Sequence, residues 1–235
     1  MQLTIKKMAE NERKKPPGSD TTLGFGRYFT DHMFLCNFEP EKGWHNARIV
    51  PYEDLRLSPA CMVLHYGQQV FEGLKAYRGV DGGIRLFRCR DNLKRLLHSA
   101  KRLCIPAFDV DEMADALKQL LLLDQHWIPS TEGCSLYIRP TIIAIDPFLG
   151  VRPSLSYLFY IIIGPVGAYY PEGFNPVGIM VNEKYVRAAL GGVGEAKTGA
   201  NYGASLLGQM EAKKNGFSQV LWLDAKEHTY VEEVG

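Results

Sequence analysis

The chain has 235 residues, 46% hydrophobic and 23% charged, and 27 lysines and arginines against 26 aspartates and glutamates leave a formal net charge of +1. A chain of this length buries roughly 70% of its unfolded surface, so one or two domains can form a core without disulfides or metal. The even charge balance excludes the broad cationic footprint that nucleic acid or an acidic membrane requires. Cys36, Cys61, Cys89, Cys104 and Cys134 are odd in number, scattered and without a C-x-x-C pair, and read as reduced thiols of a cytoplasmic protein. The histidines lack an H-E-x-x-H pair, so no metal is expected.

Residues 1–20 carry Lys6, Lys7, Arg13, Lys14 and Lys15 among polar residues and prolines, without an apolar signal-peptide core, and read as a loose arm. The segments 74–77 and 84–87 flank Gly79-Val80-Asp81-Gly82-Gly83, the pattern of a hairpin. Asp91 is placed to cap a helix through Leu93, Leu96, Leu97, Ala100, Leu103 and Cys104, which Pro106 stops. A second helix starts at Asp111 and runs through Leu117, Leu120 and Leu121. Residues 135–145 and 155–163 read as buried strands. The apolar run 157–170 is broken by Gly164, Pro165 and Gly167 and is too short to cross a bilayer, so a soluble protein is expected. Two prolines and a glycine in 169–177 predict a linker over 171–177, dividing 1–170 from 178–235. The second part holds a strand over 178–181, a helix over 204–214 closed by Gly216, and a strand over 219–223. It is too short to close a core unaided and reads as cut short.

The chemistry concentrates in Gly191-Gly192-Val193-Gly194-Glu195-Ala196-Lys197-Thr198-Gly199-Ala200-Asn201-Tyr202-Gly203. One reading is a phosphate loop, with Val220-Leu221-Trp222-Leu223-Asp224 as the strand ending in a magnesium-binding acid; Ala196 stands where that motif wants glycine. A second reading is a Schiff-base lysine, Lys197, among small residues that admit a flat cofactor, with Glu232 or Glu233 available for a pyridine nitrogen. Composition alone leaves a third: a solvated lysine in a loop.

Five blocks resemble the branched-chain amino acid aminotransferases of the fold-type IV pyridoxal-phosphate enzymes. They are His65-Tyr66-Gly67-Gln68-Gln69-Val70-Phe71-Glu72-Gly73-Leu74-Lys75-Ala76-Tyr77, Leu136-Tyr137-Ile138-Arg139-Pro140, Gly164-Pro165-Val166-Gly167-Ala168-Tyr169, the Gly194 to Tyr202 stretch and Glu233-Val234-Gly235. The resemblance implies a two-domain α+β or α/β fold with a complete N-terminal domain and an incomplete cofactor domain. It implies transfer of an amino group between leucine, isoleucine or valine and 2-oxoglutarate, with pyridoxal 5'-phosphate as cofactor, in a homodimer. By resemblance, Lys197 is the Schiff-base lysine and proton shuttle, Tyr202 meets the cofactor's phenolic oxygen, Glu233 meets the pyridine nitrogen and Arg95 holds the phosphate. The helical pattern alone makes Arg95 a polar-face residue. Tyr66, Phe71, Tyr137 and Tyr169 match the family's aromatic substrate wall. Arg139, a cation inside a strand, reads as orienting that pocket near the substrate carboxylates, with a structural salt bridge as the alternative.

Ala200 departs from the family's second glycine before Asn-Tyr, and the family continues beyond Glu-Val-Gly into further cofactor and substrate contacts. Other functions consistent with the sequence are a D-amino acid aminotransferase or aminodeoxychorismate lyase, a P-loop-like nucleotide-binding protein, and a noncatalytic partner subunit.

Overall fold

The computed structural model describes residues 2–167 and 175–235. The chain divides into two compact units, 1–171 and 172–235. Among the described residues no helix is long and apolar enough to cross a membrane.

The first unit contains β1 (Leu3–Ile5), β2 (His32–Glu39), β3 (Gly43–Pro51), α1 (Met62–Tyr66), β4 (Gln69–Phe71), β5 (Leu74–Arg78), β6 (Ile84–Leu86), α2 (Cys89–Arg102), α3 (Val110–Leu123), β7 (Ser135–Ala144) and β8 (Tyr157–Val166). Its strands form one sheet in the order β1-β3-β2-β8-β7-β5-β6, with β4 also paired to β7. Successive strand residues face opposite sides, and the two faces differ. Phe34, Cys36, Tyr157, Phe159, Ile161 and Ile163 face Leu93, Leu96 and Ala100 of α2 and Met113, Leu117 and Leu120 of α3. Burying each large side chain of this kind contributes ~1.5–3 kcal/mol. The alternate residues Met33, Leu35, Ile143 and Leu158, with Tyr160 and Ile162, form a smaller cluster on the other face.

The capping expectation for α2 needs correction. The helix begins at Cys89, after Arg88 in a left-handed conformation (φ 53°), and Asp91 lies in its first turn. There Asp91 accepts a 2.7 Å bond from Arg88 Nε and complements the helix dipole. The capping role belongs instead to Asp109, whose Oδ1 accepts from the amides of Asp111 and Glu112 at 2.9 Å to start α3.

The expected loose arm is also corrected, because backbone pairing and two buried side chains tie it down. β1 pairs parallel with β3. Met8 N donates to His32 Nε2 at 2.8 Å and Lys14 N to Asp31 Oδ1 at 2.9 Å. His32 and Asp31 are buried. Since His32 Nε2 accepts from an amide, its ring proton sits on Nδ1, 2.6 Å from the buried Asp124 carboxylate.

The second unit contains β9 (Ile179–Asn182), α4 (Gly199–Lys214), β10 (Gln219–Leu223) and β11 (Val231–Val234). β9 runs parallel and β11 antiparallel to β10. Ala212 of α4 packs on Val220 and Trp222. Gly208 is required there: a Cβ at that position would lie 2.6 Å from the Trp222 ring. Asn215 caps α4 and Gly216 follows it at φ +82°. The helix starts five residues before the expected position, because Thr198 supplies the cap residue and the small residues 199–203 make its first turn. Tyr169 and most of the expected linker lie outside the described residues.

Candidate active site

Lys197 is held just ahead of α4, between the buried Ala196 and Thr198. The loop is fixed by Asn201, whose Nδ2 donates to Ala196 O at 2.7 Å and Val193 O at 2.9 Å. This brings Lys197 Nζ to 2.5 Å from Tyr202 Oη, with the amine 5.1 Å from the tyrosine ring centroid. An amine and a phenol so joined can exchange a proton and approach one ligand together.

Glu233 stands on β11 opposite Trp222 of β10. Its carboxylate is 44% exposed and receives Arg187 Nε at 2.5 Å; the Arg187 side chain is only 13% exposed. Arg187 belongs to no motif singled out in the sequence, although a cation within Tyr185-Val186-Arg187-Ala188-Ala189 needs a partner, which is the signal that points to it.

The phosphate-loop reading fails on topology and on its acid. Such a loop leaves a strand directly, whereas β9 ends at Asn182 and 183–190 form no strand. Asp224 instead organises the β10–β11 turn. Its Oδ1 accepts from the amides of Thr229 and Tyr230 at 2.8 Å, and its Oδ2 from those of Lys226 at 3.1 Å and Glu227 at 2.7 Å. These amide bonds hold its carboxyl well below the usual range.

In the first unit, register explains the assembly of three expected pocket residues. Tyr137 pairs with Gly164, Arg139 with Ile162 and Phe71 with Thr141, so Tyr137, Arg139 and Phe71 share one face of the sheet. Arg139 Nη2 donates to Tyr137 Oη at 2.9 Å. Its guanidinium carbon lies 4.5 Å from the Phe71 ring centroid and 5.3 Å from that of Tyr137. Arg139 Nε is buried without a hydrogen-bond partner, and no carboxylate pairs with Arg139 among the described residues. That removes the structural salt bridge as its explanation. Gly73 admits this arrangement, since a Cβ there would lie 2.1 Å from Tyr137 Oη.

Tyr137 and Arg139 line a cavity of about 270 Å³ with Phe25, Tyr28, Phe29, Ile162 and Gly164. Phe25 packs edge-on to Tyr137 at 4.7 Å. The three N-terminal aromatics escape the sequence reading, where Gly24-Phe25-Gly26 is the available cue. The phenol of Tyr160 is raised by burial, an effect that the positive charge of Arg139 partly offsets. Tyr66 does not line this cavity: it ends α1, 40% exposed, with His65 as a ring neighbour.

Arg95 projects from α2 with its side chain 58% exposed. It grips the buried Glu72 through Nε to Oε1 and through Nη2 to Oε2 at 2.7 Å. The polar-face position read from the helical pattern is therefore joined to a specific ion pair.

The family described as amino-transferase class IV matches residues 69–233. Branched-chain-amino-acid aminotransferase 2 of Bacillus subtilis (strain 168) is 54% identical over 222 residues, 94% of this chain and 61% of its own length. Branched-chain-amino-acid aminotransferase of Mycobacterium tuberculosis (strain ATCC 25618 / H37Rv) is 50% identical over 213 residues, 90% of this chain and 58% of its own. The crystal structure of a branched-chain amino acid aminotransferase with pyridoxamine 5'-phosphate, its source abbreviated T.th., matches with a TM-score of 0.69 at 30% identity, over 86% of this chain and 62% of that one. The branched-chain amino acid aminotransferase from Escherichia coli matches with a TM-score of 0.66 at 30% identity, over 87% and 61%. The chain thus spans about three fifths of the length of these relatives.

Proposed function

Since the chain belongs to the class IV amino-transferases, we propose that it moves an amino group between leucine, isoleucine or valine and 2-oxoglutarate, using pyridoxal 5'-phosphate and giving branched-chain 2-oxo acids and L-glutamate. The observation that carries this reading is the Lys197–Tyr202 pair at 2.5 Å, ahead of a helix and within a family match that includes both residues.

The side chains present fit that cofactor. An amine suits its aldehyde, a phenol its ring oxygen, a carboxylate its ring nitrogen and a guanidinium its phosphate. Lys197, Tyr202, Glu233 and Arg95 are the residues we assign to these four groups. When bound, the cofactor condenses with amines and draws electrons away from the substrate α-carbon. Lys197 Nζ both holds the cofactor and moves the proton at that carbon. Tyr202 Oη orients the amine and shares its proton. Glu233, oriented by Arg187, keeps the ring nitrogen protonated.

Arg139 meets a substrate carboxylate, and Phe71, Tyr137, Tyr66 and Tyr169 bury its side chain. The cation stacked on aromatic rings supports this assignment, because an apolar wall with polar tips accepts both a branched aliphatic chain and the acidic chain of glutamate. The same reading includes an α/β domain over 1–170, a linker over 171–177, a partial cofactor domain over 178–235, a homodimer, a cytoplasmic location and a place in branched-chain amino acid biosynthesis.

The test is amino transfer to 2-oxoglutarate from leucine, isoleucine, valine and D-alanine, with Lys197→Ala as control. The proposal expects glutamate from the three branched L-amino acids alone, and none from the variant. Preference for D-alanine, or turnover that survives Lys197→Ala, overturns it.

A further inference from the structure

Glu72 is a buried acid to which none of these steps assigns work. It follows β4 directly, its side chain is fully buried, and its amide donates to Pro140 O of β7 at 2.9 Å. A carboxylate taken out of water needs charge and hydrogen bonds in compensation. Glu72 has both. Oε1 accepts from Arg95 Nε; Oε2 accepts from Arg95 Nη2 at 2.7 Å, Gly73 N at 3.0 Å and Asn92 Nδ2 at 3.4 Å.

The pair is asymmetric. Its acid is anchored to the central sheet with 0% of its side chain exposed, whereas its arginine is 58% exposed. An ion pair that only closed a core would bury both ends. Here the carboxylate grips the side-on edge of the guanidinium, Nε with Nη2. A planar fork held on that edge has its other edge, Nη1 with Nη2, in a fixed direction. The long arginine side chain therefore gives up its rotamer freedom before an anion arrives, which is the physical meaning of preorganisation.

We propose that Glu72 is a positioning residue for cofactor binding, holding Arg95 side-on so that the guanidinium's far edge receives the phosphate of pyridoxal 5'-phosphate. The proposal rests on the assignment of Arg95 to that phosphate. Glu72 itself touches neither cofactor nor substrate. Its charge is spent on Arg95, and what it contributes is direction.

The experiment compares two ligands, pyridoxal 5'-phosphate and pyridoxal, which lacks the phosphate. Their affinities for the 235-residue chain, Glu72→Gln, Arg95→Gln and the double variant are measured by fluorescence titration, beside thermal unfolding of each protein. We expect Glu72→Gln to weaken the phosphorylated ligand about tenfold and pyridoxal less than about twofold, with the double variant no worse than Arg95→Gln alone. Equal weakening of both ligands by Glu72→Gln marks a purely structural ion pair and overturns the proposal. If Arg95→Gln abolishes the preference for the phosphorylated ligand while Glu72→Gln retains it, the positioning role alone fails. If Arg95→Gln retains it, or if the parent chain binds the two ligands alike, the assignment of Arg95 fails and the proposal with it. Should Glu72→Gln not fold, Arg95→Lys decides. It keeps the charge but cannot be gripped side-on, so loss of the preference supports the proposal and retention overturns it.

Discussion

Lys197 Nζ and Tyr202 Oη lie 2.5 Å apart although five residues separate them, a spacing that does not bring side chains together along one helix. They meet because Lys197 precedes the helix, whereas Tyr202 is already in the first turn of α4, which starts at Gly199. Tyr202→Phe keeps the ring and removes the hydroxyl. We expect about a tenfold loss of cofactor affinity, the size of one hydrogen bond to a charged group, with an unchanged unfolding midpoint. Titration with pyridoxal 5'-phosphate and a thermal melt check the two halves of this expectation.

Arg139 is stacked on Phe71 and bonded to Tyr137. Arg139→Met preserves much of the volume and removes the charge. On the proposed reading KM for leucine rises about thirtyfold, corresponding to ~2 kcal/mol for a lost charged hydrogen bond, while kcat changes less. Steady-state kinetics in leucine and in glutamate separate the two parameters.

Gly73→Ala places a methyl group 2.1 Å from the present position of Tyr137 Oη. Either the tyrosine swings out of the cavity or the β4–β5 connection shifts. The expected cost is about 2 kcal/mol, typical of an overpacked core, together with loss of the Arg139–Tyr137 bond. Urea unfolding measures the first, and a structure of the variant the second.

The thiols differ sharply in access. Cys36 is fully buried and pushed up by burial from the ordinary 9.0 to about 11, and Cys61 is likewise buried and raised, whereas Cys104 is exposed. Alkylation at pH 8 should modify Cys104 first and Cys36 and Cys61 more than about a hundredfold more slowly. The sign of the linkage follows. The unfolded chain gives up the Cys36 proton before the folded one does, so this contribution is complete below pH 9 and is lost as pH rises from 9 to about 11. Urea midpoints across that range test it.

His32→Ala removes the acceptor for Met8 N and the partner of Asp124 Oδ1, leaving a buried carboxylate short of one donor. A loss of about 3 kcal/mol is expected, in the range for breaking a buried charged interaction. Hydrogen exchange of the Met8 amide should rise by the corresponding factor beyond that of the core strands.

What is legible in the sequence follows from how local each signal is. The hairpin over β5 and β6 is visible because its glycine turn lies between two short apolar runs. Strand β8 reads only as far as Ile163, since Gly164 and Pro165 look like breakers. Its neighbour β2 pairs no further than Ile161, so Pro165 occupies a position where the missing amide costs β2 nothing. Pro140 is tolerated in β7 for a similar reason: it falls between the stretches paired to β4 and to β5. Strand β1 and the tethered arm leave no periodic pattern, because their partners Asp31, His32 and β3 come later in the chain and act on backbone groups.

The candidate site divides the same way. A resemblance names Lys197 and Tyr202, but their contact depends on where α4 begins. Asp224 misleads because an acid after an apolar strand is also what a tight turn needs. Arg187 and Glu72 carry no role of their own in the motifs. Each becomes visible only as the partner of a residue far away in sequence, Glu233 and Arg95 respectively.

The most direct measurement is borohydride fixation of pyridoxal 5'-phosphate to the chain, followed by peptide mapping. The account predicts label concentrated on the peptide that contains Lys197 and lost in Lys197→Ala. Label spread over exposed lysines such as Lys94 and Lys101, and undiminished in that variant, would contradict it.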